Sequence, residues 1–438
     1  MSGSFAGATI RVLSARVTSL LLGIATSVVL ARWLGPEGKG LYSLAVLLPT
    51  LLVTLLNLGV GPSTVFHLAR RDFSAATARS GNLLLALLLG IAGVIVGGVL
   101  VLLLPSRLFP GVPQVYLYAV LLLIPLRLAH SYLQHVLQGI QEFGKYSLFA
   151  VLHSLLLLLL VLLILVVLGR GIGGALLATG LAALGTLAIQ IGDAQRREAI
   201  RLRVSIDYVK RVLSYGWKAH LATVTGFLNY RIDMLLVNAY LGAVPVGLYS
   251  VGVGLVEKLW LIPNAASAVL YPRVSGETRE SERKWITAIV TRTTLWITAA
   301  VAILLVLLCR PVIVLLYSDA YIGGVRAAQI LVVGVVAMAA SKPLATDLAG
   351  RGRPMLNTYI SLVTLATNVV LNILLIPRYR IIGAAWASTV SYCVTFALRV
   401  IVYSRVSKAA WHSVLLLRRG DFATFAEALR SSIRRARR

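Results

Sequence analysis

Long apolar stretches alternate with short polar segments along almost the whole chain. A helix needs about 20 apolar residues to cross the hydrocarbon core of a bilayer, which is about 30 Å thick. Twelve stretches reach that length. In chain order, these predicted spans lie at residues 9–33, 41–67, 80–105, 114–138, 145–169, 172–193, 213–239, 247–271, 285–309, 325–349, 355–377 and 382–404. The pattern predicts an all-α membrane protein with about twelve transmembrane helices, which we number spans one to twelve.

One short sequence occurs twice between predicted spans. The first copy, ARWLGPEGKGLYSLAV at residues 31–46, joins spans one and two, and the second, NAYLGAVPVGLYSVGV at 238–253, joins spans seven and eight. Both contain Leu-Gly, four further residues and then Gly-Leu-Tyr-Ser. Six crossings separate the copies, so the chain returns to the same membrane face. The repeat predicts two parallel six-helix lobes, an arrangement in which secondary transporters bind their substrates between the repeats.

The repeat and the charge pattern divide the chain into four regions. They are a first lobe at residues 1–193, a basic cytoplasmic linker at 194–212, a second lobe at 213–405 and a basic amphipathic tail at 406–438. In the tail, Asp421 is a predicted helix cap, and the apolar face of that helix would hold Phe422, Phe425, Leu429 and Ile433. We expect the tail to lie on anionic lipids of the inner leaflet, and a disordered basic tail is the alternative.

Composition and charge also indicate a membrane protein. The chain has 58% hydrophobic and 13% charged residues, whereas soluble proteins have about 25% charged residues. A net charge of +27 would suggest a nucleic-acid partner in a soluble protein. In a membrane protein, Lys and Arg instead accumulate in cytoplasmic loops, and here they concentrate in alternate loops, starting after span two. We therefore expect a multi-pass protein of a bacterial or archaeal cell membrane, with both termini cytoplasmic and no nucleic-acid partner.

The sequence contains no motif that indicates catalysis. There is no phosphate-binding loop with Gly-Lys-Ser/Thr and no cluster of Cys and His at metal-ligand spacing. The outer loops are short, which counts against a membrane enzyme that must hold two glycan substrates. We therefore expect no catalytic residues, no metal and no cofactor, and coupling to protons or sodium ions stays open.

Ionisable residues inside spans are costly in lipid and are candidates for functional sites. The basic ones are Arg16, Arg127, Arg231, Lys258 and Lys342, and the acidic ones are Asp233, Glu257 and Asp347. The excess of positive charge suits an anionic substrate, because Arg and Lys form charge-assisted hydrogen bonds with phosphate.

Span four has the clearest polar pattern. Its sequence RLAHSYLQHVLQ puts four polar residues at helical spacing on one face, with His130 beside them, and the four are Arg127, Ser131, Gln134 and Gln138. This face predicts the wall of a polar cavity. The alternative is a polar seam buried between helices of one lobe.

The remaining charges in the spans allow a functional and a structural interpretation. Lys258 lies near the middle of span eight and either contacts substrate phosphate or is neutralised by Glu257. Arg16 is shallower in span one and could instead extend to the inner headgroups.

The acidic residues are open in the same way. Asp233 is either a proton or sodium coupling site or half of a structural ion pair with Arg231. Lys342 and Asp347 lie five residues apart in span ten, and each is a candidate for function or for pairing.

Two segments resemble a known family. VLARWLGPEGKGLYSLAV and RIDMLLVNAYLGAVPVGLYSVGVGLVEKLWLIPNAASAVLYPRVS, the latter at residues 231–275, are similar to the signature regions of polysaccharide and O-antigen flippases. These belong to the multidrug/oligosaccharidyl-lipid/polysaccharide exporter superfamily. The resemblance implies a V-shaped pair of lobes, like that of multidrug/toxin extruders, that moves a polyprenyl-diphosphate-linked oligosaccharide from the inner to the outer leaflet by alternating access.

The resemblance also implies roles for the charged residues. The substrate-binding candidates are Arg16, Arg127, Gln134, Lys258 and Lys342, and the ion-coupling candidates are Asp233, Glu257 and Asp347. The expected partners are the lipid-linked oligosaccharide, anionic lipids and other proteins of polysaccharide assembly.

Three other functions stay open at this point. A cation-coupled multidrug efflux pump of the same fold would need an acidic and aromatic cavity, which the positive spans disfavour. A lipid II flippase is a second alternative, although many members of the superfamily have fourteen spans and twelve is closer to the polysaccharide flippases. A membrane enzyme or a scaffold of the assembly complex is the alternative of another class.

The loop charges predict which segments face the outside. Single cysteines at Gly38, Val244 and Ile382, in a chain whose two natural cysteines are replaced by serine, should react with an impermeant thiol reagent added to intact cells. Cysteines at Ser74 and Ser275 should react only after the cells are opened. Labelling in the opposite pattern would reverse the orientation.

Overall fold

The computed structural model of the chain describes residues 2–104, 109–197, 205–416 and 420–421. These residues form helices joined by short turns, and no β-strand occurs among them. The predicted linker 194–212 and the predicted tail 406–438 lie partly outside the described residues, including the proposed apolar face of the tail helix.

The first six spans are built from seven α-helices. They are Ser2–Leu56, Val60–Ala69, Ala75–Leu103, Gln114–Leu121, Leu123–Gly139, Phe143–Val161 and Gly171–Arg197. Ser2–Leu56 contains both span one and span two, because Gly35 at φ 66° and ψ −179° breaks the helix into two. A π-helical segment, Leu162–Val167, ends span five.

The second six spans begin with the long helix Ile206–Leu241. The other α-helices are Ala243–Val256, Leu261–Gly276, Glu280–Tyr317, Val325–Gly350 and Pro354–Ser407. Three short 3-10 helices join or follow them, at Glu257–Trp260, Asp319–Gly324 and Trp411–Val414. Arg380, at φ 55° and ψ −138°, divides Pro354–Ser407 into spans eleven and twelve.

The predicted number of spans is confirmed. Nine helical stretches of the described residues are long and apolar enough to cross a membrane. Two of them, Val12–Leu56 and Pro354–Ser407, each contain two spans separated by a break. Ile206–Leu241, with 36 residues, is long enough for span seven but more polar than these nine. Together they account for twelve spans of an all-α membrane fold.

Span two is shorter than its apolar pattern predicts. The sequence predicts one helix over 41–67, but the helix ends at Leu56 and resumes only at Val60–Ala69. Gly59 at the break has a φ of 70°, a conformation that glycine adopts without steric cost. The prediction was wrong because the apolar residues continue through the break, and apolar character alone does not report backbone conformation.

The break in span two is stabilised by polar groups from other spans. His220 Nε2 lies 2.8 Å from the carbonyl oxygen of Leu55, and the Tyr132 hydroxyl donates to the carbonyl of Asn57 at 3.1 Å. Backbone groups without partners are costly at membrane depth. These two contacts therefore allow the helix to stop inside the bundle.

The chain separates into two compact units. The first consists of Met1–Val224 and Gly242–Gly247, and the second of Thr225–Leu241 and nearly all residues from Leu248 onward. The first part of span seven and the joint after it thus belong to the first unit. The two six-helix lobes predicted from the repeat, with boundaries at residues 193 and 213, stay a prediction.

The two copies of the repeated joint contact each other within the first unit. A β-carbon added to Gly40 would lie 1.9 Å from the carbonyl oxygen of Ala243, and one added to Gly247 would lie 1.9 Å from that of Pro36. A shift of 207 positions relates Pro36 to Ala243 and Gly40 to Gly247. The contact is therefore reciprocal, and each copy needs glycine because the other copy's backbone occupies the place of a side chain.

Replacing either glycine should disturb this contact. Gly40→Ala and Gly247→Ala should each lower the stability of the purified protein by about 1–3 kcal/mol, the usual cost of overpacking, measured as a fall in melting temperature in detergent. Gly254→Ala is the matched control, because a β-carbon there meets nothing within 4 Å. Unchanged melting of both test variants would contradict the close contact.

Candidate functional site

The guanidinium of Arg127 in span four contacts span two. Its Nη1 donates to the Thr50 hydroxyl at 2.7 Å, and this hydroxyl is itself bonded to the Val46 carbonyl of its own helix at 2.7 Å. The side chain is partly buried, and no carboxylate of the described residues contacts it. Arg127 thus carries a positive charge whose hydrogen-bond partner among the described residues is a neutral hydroxyl.

Two histidines lie beside Arg127 in the first unit. The imidazole of His130 in span four and that of His153 in span five have ring centroids 5.5 Å apart. His130 Nδ1 lies 2.9 Å from Gln190 Oε1, and His153 Nδ1 lies 3.3 Å from the Thr186 hydroxyl. The search for charges inside spans did not include His153. The signal that could have found its partner is the polar pair at positions 186 and 190, one helical turn apart in span six.

The polar face predicted for span four is divided in the structure. Gln134 is only 8% exposed, and its Nε2 donates to the carbonyl of Tyr146 at 3.4 Å. Gln138 is exposed and Ser131 is partly buried. The burial of Gln134 and its bond to Tyr146 favour the polar seam within one lobe for this residue, and the role of Arg127 as a cavity residue stays a prediction.

Arg16 lies on an exposed face of span one. Its side chain makes no polar contact with any described residue. Both interpretations of Arg16, contact with substrate phosphate and contact with the inner headgroups, stay predictions.

Arg231 and Glu257 form a bidentate ion pair in the second unit. Nη1 and Nη2 of Arg231 donate to the two carboxylate oxygens of Glu257 at 2.8 and 3.1 Å. Span eight adopts 3-10 geometry at Glu257–Trp260, and such short interruptions often mark functional segments. From the sequence, the possible ion pairs were Arg231 with Asp233 and Lys258 with Glu257. The structure instead joins Arg231 directly to Glu257.

The two candidate lysines of the second unit, Lys258 and Lys342, have no carboxylate in contact among the described residues. Lys258 is exposed. It directly follows Glu257, whose carboxylate is already paired with Arg231. Lys342 Nζ donates to Asn264 Oδ1 at 2.9 Å and lies 4.6 Å from the ring centroid of Trp260. A cation over an aromatic face and an amide oxygen are favourable contacts, but neither cancels the charge.

Asp233 lies in a buried polar network. Its Oδ2 accepts hydrogen bonds from the Tyr249 hydroxyl at 2.7 Å and the Ser388 hydroxyl at 3.2 Å, and its Oδ1 accepts one from the backbone N–H of Met234 at 2.8 Å. Ser388 in turn accepts from Asn368 at 3.5 Å. Every direct partner of this carboxylate is therefore neutral.

Asn368 extends this network to Asn372. Nδ2 of Asn372 donates to both the carbonyl and the side-chain oxygen of Asn368, at 2.8 and 2.9 Å. The side-chain oxygen of Asn372 is buried and has no hydrogen-bond partner among the described residues.

Asp347 is part of an ion-pair network rather than a partner of Lys342. It is fully buried, accepts from the Thr287 hydroxyl at 2.7 Å and is bonded to Arg351 one turn further along the helix. Arg351 also contacts both oxygens of Glu280, at 2.8 and 2.9 Å. Arg351 follows predicted span ten, which ends at residue 349, so the search for charges inside spans did not include it.

Two arginines within the bundle were missed by the sequence analysis. Arg399 in span twelve is 8% exposed, and its Nη1 donates to the Ser341 hydroxyl at 2.9 Å. Arg292 in span nine forms a buried bidentate ion pair with Asp421, with both contacts at 2.8 Å. Asp421, predicted as a helix cap, thus also attaches the segment after span twelve to span nine. Both arginines lie inside predicted spans, so the same criterion that selected Arg127 could have found them.

The contacts divide the cations of the spans into two groups. Arg231 and Arg292 are bonded to carboxylates, as is Arg351 at the end of span ten. Arg127, Lys342 and Arg399 are bonded to neutral groups, and Lys258 is exposed. Within the described residues, no group of three or more His, Cys, Asp or Glu side chains could hold a metal ion. The arrangement is therefore suited to binding anions.

The fold is similar to that of solved transporters. The lipid II flippase MurJ in an inward closed conformation matches with a TM-score of 0.71 and 15% identity, over 89% of this chain and 86% of that chain. A multidrug resistance MATE family transporter in an inward-facing conformation matches with a TM-score of 0.70 and 18% identity, over 90% and 96%. These similarities define a multi-pass membrane protein with the fold of the multidrug/oligosaccharidyl-lipid/polysaccharide superfamily.

The sequence also identifies the family. The family model described as polysaccharide biosynthesis protein matches residues 6–276. The chain belongs to this family, as the resemblance of its two signature segments predicted.

Two archaeal proteins are among its relatives. A stretch of 196 residues is 26% identical to the uncharacterized membrane protein MJ1068 of Methanocaldococcus jannaschii, covering 44% of this chain and 39% of that protein. A stretch of 205 residues is 22% identical to the probable low-salt glycan biosynthesis flippase Agl15 of Haloferax volcanii, covering 44% and 42%. The matched stretches thus span about two fifths of the length of these relatives.

The ion pair between Arg231 and Glu257 should contribute to stability, because each group would otherwise be left partly buried without its partner. Glu257→Ala should lower the free energy of unfolding by about 1–3 kcal/mol, measured by thermal melting in detergent. The double variant Arg231→Ala/Glu257→Ala should lose less than the sum of the single losses. Lys258→Ala is the control and should melt like the wild type. Additive losses in the cycle would show that the pair contributes nothing.

Proposed function

We propose that the protein is a flippase that moves a polyprenyl-diphosphate-linked oligosaccharide from the inner to the outer leaflet by alternating access, for surface polysaccharide biosynthesis. The observation that carries this proposal is the set of cations that only neutral groups contact. Membership of the polysaccharide biosynthesis family supports it, as does the relative named as a glycan biosynthesis flippase.

The chemistry of the carrier explains why such cations are needed. A diphosphate linkage brings negative charge into a region of low dielectric constant, where an unpaired charge is costly. Arg and Lys can form short, charge-assisted hydrogen bonds with its oxygens, whereas neutral sugars offer only ordinary ones. A cation already neutralised by a carboxylate would offer much less, so the unpaired cations are the better phosphate ligands.

The candidate phosphate contacts of the first lobe are Arg127 and Arg16, and those of the second lobe are Lys258 and Lys342. Arg127 and Lys342 are held in place by Thr50 and by Trp260 with Asn264. Lys258 is exposed and can follow a mobile ligand. Gln134 is a weaker candidate, because its amide is buried and bonded inside the first lobe.

Asp233 is the best candidate for coupling transport to protons or sodium ions. Glu257 and Asp347, the other two candidates, are each bonded to an arginine, which neutralises them. Asp233 is bonded directly only to neutral groups, and its network ends at a side-chain oxygen of Asn372 that has no partner in the described structure. A carboxylate with neutral oxygen ligands can hold either a proton or a small cation.

The alternatives fit the contacts less well. A pump for organic cations needs carboxylates facing its substrate, but two of the three candidate carboxylates are neutralised by arginine. A lipid II flippase would bind the same kind of phosphate, so the charges in the spans do not distinguish it from the proposed function. Membership of the polysaccharide biosynthesis family favours the proposed function. An assembly scaffold would not need unpaired cations within the spans.

The setting of the protein completes the proposal. We place it in the cell membrane with both termini in the cytoplasm, in agreement with the loop charges. Its further partners would be anionic lipids and other proteins of polysaccharide assembly, and the protein itself would perform no covalent chemistry.

The proposal predicts a loss of export when unpaired cations are removed. Arg127→Ala and Lys258→Ala should abolish surface-glycan complementation in cells that depend on this chain, and Lys258→Arg should retain part of it because the charge remains. Each alanine should weaken binding of farnesyl diphosphate to the purified protein, measured by titration calorimetry. The expected loss is about 1.5–3 kcal/mol per contact, or roughly 10- to 150-fold in affinity.

Abundance in the membrane serves as the control for this experiment, because all variants should be made in normal amounts. Arg326→Ala removes an exposed arginine of span ten that makes no contact considered above, and it should export like the wild type. Wild-type export by both test variants would show that Arg127 and Lys258 have structural roles only.

A further inference from the structure

The two histidines of the first lobe form a cluster that the proposed phosphate contacts do not explain. His130 lies three residues after Arg127, and residues at this spacing share a helix face. Its ring is 5.5 Å from that of His153. Spans four, five and six thus bring one guanidinium and two imidazoles together, with Thr186 and Gln190 as their polar neighbours.

The hydrogen bonds indicate which nitrogen of each ring can accept a proton. The Thr186 hydroxyl donates to the carbonyl of Ala182 at 2.7 Å, so its oxygen accepts from His153 Nδ1. The side-chain oxygen of Gln190 likewise accepts from His130 Nδ1. A neutral imidazole that donates through Nδ1 has its basic lone pair on Nε2. Each ring therefore has one nitrogen free to take a proton.

The charged groups around the cluster decide when a proton can bind. Arg127 is a neighbouring cation of His153, and the Tyr42 hydroxyl of span two is bonded to Thr179. At the ends of spans five and six, Lys145 is paired with Asp193, and Arg79, near the start of the helix Ala75–Leu103, is buried near Asp193 and Gln190. No carboxylate of the described residues contacts either imidazole.

A proton on either ring would place a second positive charge beside Arg127, which like-charge repulsion disfavours. An anion bound at Arg127 would reverse this effect, because it attracts both cations. This coupling is reciprocal. A proton on the histidines would therefore strengthen anion binding by the same factor as the anion strengthens proton binding.

We propose that His130 and His153 form a proton-binding site that is filled when a diphosphate binds beside Arg127 and is emptied when the diphosphate leaves. The site holds one proton, taken from water onto Nε2 of either ring, and no covalent bond of the substrate changes. This inference rests on the proposed function, and it gives the first lobe a proton site separate from Asp233 in the second. Cargo and proton would then enter and leave the first lobe together.

The sign of the pH dependence follows from this linkage. The histidines contribute to anion affinity only while they are protonated, so the contribution is present at low pH and is lost as pH rises through the range in which these imidazoles titrate. Allosteric couplings of this kind typically change affinity about 5- to 150-fold. We expect a change of that size for farnesyl diphosphate.

The experiment measures proton uptake directly. Farnesyl diphosphate is titrated into the purified full-length protein by calorimetry in two buffers with different ionisation enthalpies, from about pH 4 to about pH 8, a range wide enough for imidazoles in buried sites. The wild type should take up about one proton more per bound ligand than His130→Gln/His153→Gln near the middle of this range. The difference between the proteins is the quantity of interest, because the ligand itself also titrates.

Glutamine keeps a hydrogen-bonding group at both positions while removing the titration. If this double variant melts at a lower temperature than the wild type, His130→Asn/His153→Asn replaces it. His412→Gln is the matched control, because His412 is an exposed histidine outside the spans, and it should behave like the wild type.

The outcomes separate this inference from the proposed function. Equal proton uptake and equal pH dependence in the wild type and a folded double variant would overturn the inference. The proposed function would still stand if Arg127→Ala lost affinity in the same assay. Absence of farnesyl diphosphate binding to the wild type would overturn both.

Discussion

Hydrocarbon does not solvate charge, so an ionisable side chain within a span must find a polar partner in the protein or face water. In this chain the available partners are few, since 42 basic residues outnumber 15 acidic ones. Carboxylates bind Arg231, Arg292 and Arg351. Arg127, Lys342 and Arg399 have hydroxyl, amide or aromatic partners instead. The helices can pack around such residues, but their charge is retained. The demand for a counter-charge within the membrane is therefore the constraint from which the candidate site follows, and a negatively charged cargo would meet it.

Much of the fold could be predicted because it depends on short-range features of the sequence. The length of the apolar stretches predicts the spans, and the repeated joint predicts two parallel halves. The two copies of this joint contact each other, and the contact requires glycine at both position 40 and position 247. The break after Leu56 was missed because apolar residues continue through it. Its stability depends on His220 and Tyr132, which lie far away in the sequence.

The pairing of charges could not be predicted in the same way. Arg231 lies two residues from Asp233 and 26 from Glu257, yet it bonds to Glu257, because helix rotation and not sequence distance decides which groups meet. Asp347 bonds to Arg351 on its own helix and to Thr287 on another, and the neighbours of Lys342 come from span eight. Residue type and position identified most of the charged groups that matter. Which of them keep a free charge became clear only from contacts between helices.

The attachment of Asp421 to Arg292 has a practical consequence. Flexible ends are often trimmed from membrane proteins before they are purified and studied. Here a chain shortened before Asp421 would leave a nearly inaccessible guanidinium in span nine without its counter-ion, and the remaining contact with the Ser413 carbonyl would have to carry it alone. A cut that keeps this ion pair lies beyond position 421, and any shorter form needs a neutral residue at position 292 as well.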